Sequence, residues 1–303
     1  MPSSLKGTYP SLGLGTVQFG LPYGVSNTAG QTPPEQVTLI LKEAWNSGIR
    51  ILDTARAYGT SETVLGENAA LTSSFKIVSK LPPLPTEIES EKQINAWVCD
   101  NISQSIKALK TTSLYGILIH NPLDALGPRA EIIFKALKSQ KNLGKINKYG
   151  ASIYDSSQIE QILKKTTPDL LQIPINVFDQ RLLNCGLLSD LRVAGIELHA
   201  RSVFLQGLVL MEPHSIPSFF EPVRHLLQGF DTYCKDLKIS KIQAALAFIK
   251  SLPIDLALVG VNTQQQLLEI VQEYNKAKGQ IEPADFSQFK INDEKFVNPS
   301  LWR

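Results

Sequence analysis

Gly48-Ile-Arg-Ile-Leu-Asp-Thr-Ala-Arg-Ala-Tyr-Gly-Thr-Ser-Glu-Thr-Val-Leu-Gly66 is the stretch on which the reading of the fold turns. Gly48 ends a helix, and Ile49, Ile51 and Leu52 then make a short apolar run, the mark of a strand buried in a parallel sheet. The run leads straight into Asp53. Tyr58 follows in a turn marked by Gly59, and Thr60 or Ser61, with Glu62 in the first turn, opens a helix. An acid at a strand end and a phenol on the loop beyond it fall where α/β folds keep their chemistry. The same pair also fits a helix cap beside a packed tyrosine, so the choice depends on the rest of the chain.

Upstream, Leu12-Gly-Leu-Gly-Thr16 reads as a strand, followed by an irregular loop to Asn27 and a helix opened by Pro33-Pro34-Glu35. Downstream of a helix at 61–70, strands are expected at Phe75–Lys80, Leu114–His120, up to Ser152, Leu170–Pro174, Ile196–Ser202 and Leu256–Gly260. Helices are expected between them at 88–109, 129–141, 156–164, 184–194, 218–236 and 240–250, with a last one at 263–276. Strands alternating with helices imply a parallel sheet, and eight such units suit a closed (β/α)₈ barrel better than a doubly wound sheet. Nothing resembling a linker, repeat or low-complexity run divides the chain, so residues 1–303 read as one α/β TIM-barrel domain with a C-terminal tail from about 279.

Composition is that of an ordinary globular protein: 303 residues, 43% apolar and 19% charged, with a formal charge of +2. That charge is too small to suggest a nucleic-acid or membrane surface. Cys99, Cys185 and Cys234 form no Cys-x-x-Cys pair and read as buried or incidental thiols of a reducing compartment. The N-terminus carries no apolar signal core and no apolar run nears the ~20 residues of a membrane helix, so a cytoplasmic protein is expected.

Asp53, Lys80 and His120 all fall at the carboxyl ends of neighbouring strands, with Tyr58 just beyond, and strands in a sheet lie about 5 Å apart. The four side chains therefore converge on one barrel face. Here the sequence resembles the aldo-keto reductases. Asp53-Thr-Ala-x-x-Tyr58-Gly-x-Ser-Glu62 with Leu65-Gly66, the strand ending in Lys80, and Ile-Leu-Ile-His120 match that family's catalytic set in order, and the likeness runs from Leu12 to the last helix. It implies reduction of an aldehyde or ketone, possibly a sugar, by hydride from a nicotinamide. Tyr58 would be the proton donor, Lys80 the cation beside it, Asp53 the lysine's partner, and His120 the residue orienting the carbonyl. No metal is implied.

The resemblance also assigns cofactor contacts. Thr16, Ser152 and Gln172 stand on matching positions, the latter two toward the nicotinamide carboxamide, although Ile153 replaces the usual asparagine. Ala200-Arg201-Ser202-Val-Phe-Leu-Gln-Gly207 matches the pyrophosphate loop, with Arg201 where many members carry an aromatic ring; its guanidinium could stack or reach a phosphate. Gly260, Asn262, Gln266 and Glu269 match the adenosine end. In many members lysine and arginine occupy the Gly260 and Gln266 positions and grip the 2′-phosphate of NADPH. Here NADPH is expected with NADH possible. Asn262, Thr263 and the last helix's amides would supply a preference of only about 1–2 kcal/mol, the scale of charge-assisted hydrogen bonds.

Gln18, Phe19 and Tyr23, and the tail residues Phe286, Phe289, Phe296 and Trp302, would line or cap a small-molecule carbonyl pocket, the tail serving equally as a packed strap. His199, His214 and His225 read as structural or surface residues. Two other readings compete: a Schiff-base lyase using Lys80, and a non-catalytic nucleotide-binding relative.

Overall fold

In the computed structural model, which describes residues 9–183, 186–277 and 283–302, eight parallel strands close on themselves in chain order. They are β1 (Ser11–Gly15), β2 (Ile51–Asp53), β3 (Lys76–Leu81), β4 (Leu114–Ile119), β5 (Ile146–Ser152), β6 (Leu170–Pro174), β7 (Glu197–Arg201) and β8 (Leu256–Gly260). The barrel is sealed by β1 against β8, in register from Ser11 with Leu256 to Gly15 with Gly260. The returning segments carry α1 (Val17–Gly20), α2 (Pro34–Asn46), α3 (Ser61–Glu67), α4 (Ala69–Thr72), α5 (Glu91–Ala108), α6 (Pro122–Leu126), α7 (Ala130–Asn142), α8 (Ser156–Leu163), α9 (Leu187–Val193), α10 (Arg224–Asp236), α11 (Lys241–Lys250), α12 (Gln264–Lys276) and α13 (Glu294–Val297). The (β/α)₈ barrel expected from the alternation is the observed fold.

Where boundaries differ from the sequence reading, local chemistry explains it. The helix expected from 88 begins at Glu91, because Ser90 and Gln93 form a reciprocal capping box there. The helix expected over 61–70 breaks at Asn68, whose amide turns back onto Val64 O and accepts from Thr38 Oγ1. The helix expected from 218 starts as a tighter 3₁₀ turn, Ser218–Val223, containing Pro222, which has no N–H for an α-helical bond. Asn184 and Cys185 lie outside the described residues.

Alternation along the strands sorts the barrel interior into tiers. Ile51, Val78, Leu118 and Leu170 pack together as an apolar middle tier. Below it, toward the strand N-termini, Glu197 accepts from Tyr115 Oη at 2.7 Å, from Lys148 Nζ and from His199 Nε2 at 2.6 Å. Above it, at the strand C-termini, stand Asp53, Lys80, Ser152, Gln172 and Arg201. Outside the barrel, the periodic apolar face of α5 is buried as read, with Ile94, Val98 and Ile102 at most 1% exposed.

The tail is a packed strap. Phe286, Phe289 and Phe296 are buried, Phe289 edge-on to Phe230 at 5.4 Å and Phe286 edge-on to Phe248 at 5.2 Å. Trp302 meets Phe220 at 5.0 Å.

Candidate active site

Tyr58 is positioned by two glycines. Gly59 adopts a left-handed φ of 55°, and a Cβ on Gly20 would lie 1.8 Å from Tyr58 O, so α1 and the Tyr58 loop touch backbone to backbone. Beneath them, Thr16 Oγ1 donates to Asp53 O (2.9 Å) and Ser61 Oγ donates to Thr16 O (2.8 Å), tying β1, β2 and α3 together. Thr16, expected among the cofactor contacts, thus spends its hydroxyl inside this knot.

The four residues read as catalytic do come together. Lys80 Nζ donates to Asp53 Oδ2 at 2.6 Å and to Thr54 O at 2.9 Å, and lies 4.9 Å from the centre of the Tyr58 ring. The Tyr58 and His120 rings stand edge to face at 5.6 Å and 83°. Lys80 is fully buried behind Tyr58 and forms none of the cavity wall, whereas Asp53, Tyr58 and His120 do. Gln172 Nε2 donates to the other Asp53 oxygen at 2.7 Å. One of its amide N–H groups is thus engaged by Asp53, while the residue also borders the cavity.

Burial dominates the electrostatics. It pushes the Tyr58 phenol well above its ordinary range, with the Asp53 carboxylate adding to the shift and Arg201 opposing it. It lowers the Lys80 ammonium against the pull of Asp53. His120 is pushed down to about 3 by burial first and then by Lys80 and Arg201, so its imidazole is neutral at physiological pH. The cation expected to act on Tyr58 was Lys80. In the folded chain Lys80, paired with Asp53, lies against the Tyr58 ring, and Arg201 is a further cation that opposes the rise of the phenol.

Arg201 donates to Ile153 O at 3.1 Å and to Ser202 Oγ at 3.4 Å, and its guanidinium lies 4.5 Å from the Tyr154 ring centre. Its Nε is buried without a partner. Tyr154 was not singled out from the sequence; its place two residues beyond the β5 end was the available signal. The loop after β7 is conformationally strained, with Ser202, Leu205, Gln206 and Gly207 all at φ between 47° and 92°.

These groups open into a cavity of about 1040 Å³. Its near end is formed by Asp53, Tyr58, His120, Ser152, Tyr154, Gln172 and Arg201, and its far end by residues of α10, α11 and α12. Ser202, Gly207, Gly260, Asn262, Gln266 and Glu269 all border it, as their assignment to a cofactor groove requires. Gln18 and Tyr23 line it too, while Phe19 is buried away and, among the described residues of the tail, Pro299 and Ser300 reach it. The β1 and β7 loops meet across it: Val25 N donates to Gln206 O (3.1 Å) and Gln206 Nε2 to Tyr23 Oη (3.1 Å). Because β8 lies between β1 and β7, this arch spans the end of β8.

His199 is fully buried on Glu197 rather than superficial, and His214 and His225 are exposed. Among the described residues no helix is long and apolar enough to cross a membrane.

The chain is thus a closed parallel (β/α)₈ barrel with a buried lysine–aspartate pair, a tyrosine and a histidine at its C-terminal mouth. Residues 11–291 match the model of the aldo/keto reductase family, and the chain belongs to that family, whose members are oxidoreductases. Solved structures agree on the fold. The chain is 18% identical to aldo-keto reductase AKR11C1 from Bacillus halodurans in its holo form, over 93% of each chain, with a TM-score of 0.73. It is 21% identical to PA4992 from Pseudomonas aeruginosa, described as belonging to the aldo-keto reductases, over 91% of this chain and 94% of that one, with a TM-score of 0.65. A search of curated proteins returned no match.

Proposed function

We propose that the chain reduces an aldehyde or ketone to the alcohol with a reduced nicotinamide dinucleotide, Tyr58 delivering the proton. The observation that carries this reading is the Lys80–Asp53 contact of 2.6 Å buried directly behind Tyr58, with Tyr58 and His120 facing the cavity at right angles.

The donor set suits such a cofactor. The cavity volume is at the upper limit of ordinary ligand pockets, as an extended dinucleotide needs, and its wall includes the strained Ser202–Gly207 loop and the unpartnered Gln18 Oε1. Ser152 and Arg201 would hold the nicotinamide end, the Ser202 loop the pyrophosphate, and Asn262 to Glu269 the adenosine. When bound, the dinucleotide supplies the hydride.

The protein's part is to place the carbonyl and give the proton. His120, neutral, offers an N–H to the carbonyl oxygen and orients it. Tyr58, its pKa raised by burial and Asp53, stays protonated through the working range. An alkoxide is a stronger base than a phenolate, so transfer from Tyr58 to the forming alkoxide runs downhill. Arg201 then offsets the charge left on the phenolate. A Schiff base at Lys80 fits poorly, because its amine is fully buried and engaged by Asp53 and Thr54 O. We take the whole chain as one reductase domain acting on small carbonyl compounds.

The test is oxidation of NADH or NADPH by the purified protein with small aldehydes and aldoses. Tyr58→Phe should lower turnover by about 10²–10⁴, the usual worth of a general acid, with cofactor affinity within a few-fold. Undiminished turnover in that variant would show that the proton comes from another group.

A further inference from the structure

The far end of the cavity carries a second kind of information, on which dinucleotide it accepts. A 2′-phosphate is a dianion that only accepts hydrogen bonds; it needs cations or free N–H groups. A ribose 2′-hydroxyl donates, and needs an acceptor.

Most backbone donors at the start of α12 are already taken. Gln266 Oε1 accepts from Asn262 N at 2.7 Å and from Thr263 N at 3.3 Å. Gln264 N donates to Gln36 Oε1 (3.3 Å) and Gln266 N to Thr263 Oγ1 (3.2 Å). The side-chain amide of Asn262 points away, to Gly30 O at 3.2 Å and Thr32 Oγ1 at 3.3 Å. Of the amides expected from the sequence to reach a phosphate, those of Asn262, Thr263, Gln264 and Gln266 are therefore spent within the protein.

The charges lean the same way. Among the described residues, the cavity wall at this end carries Glu212, Asp231 and Glu269 against Lys235 and Lys241. Both lysines are committed to Asp231, at 2.6 and 2.9 Å, and Lys241 also reaches Met211 O and Glu212.

Gly260 is filled from across the barrel seam. A Cβ there would lie 2.6 Å from Gln18 Nε2 and 2.8 Å from Gln18 Oε1, so the Gln18 carboxamide stands where a side chain at 260 would begin. Gln18 Oε1 is buried with no partner among the described residues. Fixed positive charge is scarce at this end, and two acceptors, Gln18 Oε1 and the Glu269 carboxylate, border it.

We propose that this end selects an adenosine ribose with a free 2′-hydroxyl, so that the chain takes NADH in preference to NADPH. Gln18 and Glu269 are the acceptors for the ribose hydroxyls, and Gln266, as the plug of the α12 N-terminus, is the specificity-determining residue. The inference rests on the nicotinamide-dependent function proposed above.

Calorimetric titration of the full chain with NADH, NADPH, ADP-ribose and 2′-phospho-ADP-ribose at one ionic strength tests it without turnover. Expected is binding of NADH and ADP-ribose at least about tenfold tighter than of their 2′-phosphorylated counterparts, a gap that narrows with added salt as the carboxylates are screened. Gln266→Arg should close the gap by tightening the phosphorylated pair, and Gln18→Leu by weakening the unphosphorylated pair, with circular dichroism confirming that both fold. Equal or tighter binding of NADPH by the unaltered protein overturns the inference and leaves the reductase reading intact. Binding of none of the four overturns both.

Discussion

The barrel interior holds two ionic clusters separated by one apolar tier, and they have opposite characters. The lower one closes on itself: the two carboxylate oxygens of Glu197 take hydrogen bonds from Tyr115, Lys148 and His199. The upper one satisfies Asp53 and Lys80 but turns Tyr58, His120 and Arg201 toward a cavity; each cluster keeps one buried nitrogen without a partner among the described residues, His199 Nδ1 below and Arg201 Nε above. A polar network sealed inside the barrel holds the fold together, whereas one open to a cavity on one side is available to a ligand. Residue types alone do not separate the two, since each contains a tyrosine, a lysine, a histidine and a carboxylate. Position along parallel strands does.

The contrast is broken or sharpened most strongly by Tyr58→Phe set against Glu197→Gln. The first should carry the turnover loss given above while its melting temperature stays within about 2 °C, because no hydrogen bond of a closed network is lost. A melting temperature that fell sharply instead would mean that Tyr58 is structural.

Glu197→Gln should do the reverse. Breaking an ion pair that is only partly shielded is worth about 1–3 kcal/mol, at the low end for buried pairs, and urea unfolding measures it. Turnover per folded molecule should stay within a few-fold. The acid limb of stability should change as well. Glu197 is held down at about 2, below its ordinary 4.5, first among the lowering causes being its bond from His199, against the cost of burial. Its contribution is thus complete above about 4.5 and is lost as pH falls toward 2. The variant should lack that part of the acid loss. The part due to His120 should remain: its pKa of about 3 lies below its ordinary 6.5, so stability falls as pH drops from 6.5 toward 3.

The smallest expected effect lies within the upper cluster. Arg201→Leu removes one of the two cations that depress His120, so the His120 pKa should rise from about 3, by less than the burial contribution. Proton NMR of the histidine rings reads it. A His120 resonance that titrates identically in both proteins would uncouple Arg201 from the site.

Much of this was legible in the chain, for physical reasons that differ by region. The eight strands declared themselves because strands buried on both faces must be apolar runs, and Asp53, Lys80 and His120 follow such runs directly. Helix ends were less legible, since Ser90–Gln93 and Asn68 act through side-chain bonds that periodicity does not contain. The far end of the cavity was legible only in part, for a related reason. The missing charges at Gly260 and Gln266 were visible, but not that Gln266 folds back to cap its own helix. Nor was it visible that Gln18, some 240 residues away in sequence, fills the space over Gly260, because that needs the β1–β8 seam. Arg201 was identified as unusual, while its partner Tyr154 and its influence on Tyr58 depend on β5 and β7 approaching across β6.

The arch over β8 bears on the order of events. On the proposed function, a dinucleotide stretched along the cavity from His120 to Gln266 would run past the junction of the β1 and β7 loops, and that junction would have to part to admit it. The hydrogen bonds across it, Val25 N and Ser26 Oγ to Gln206 O and Gln206 Nε2 to Tyr23 Oη, are each worth about 1 kcal/mol or less, enough to hold it shut and little enough to break thermally. A small carbonyl compound needs no such opening, because Tyr58 and His120 already face the cavity. On the proposed function, the carbonyl compound and the alcohol then exchange quickly while the dinucleotide waits for loop motion. Turnover would then run with the dinucleotide first on and last off, and its escape would be the slow step.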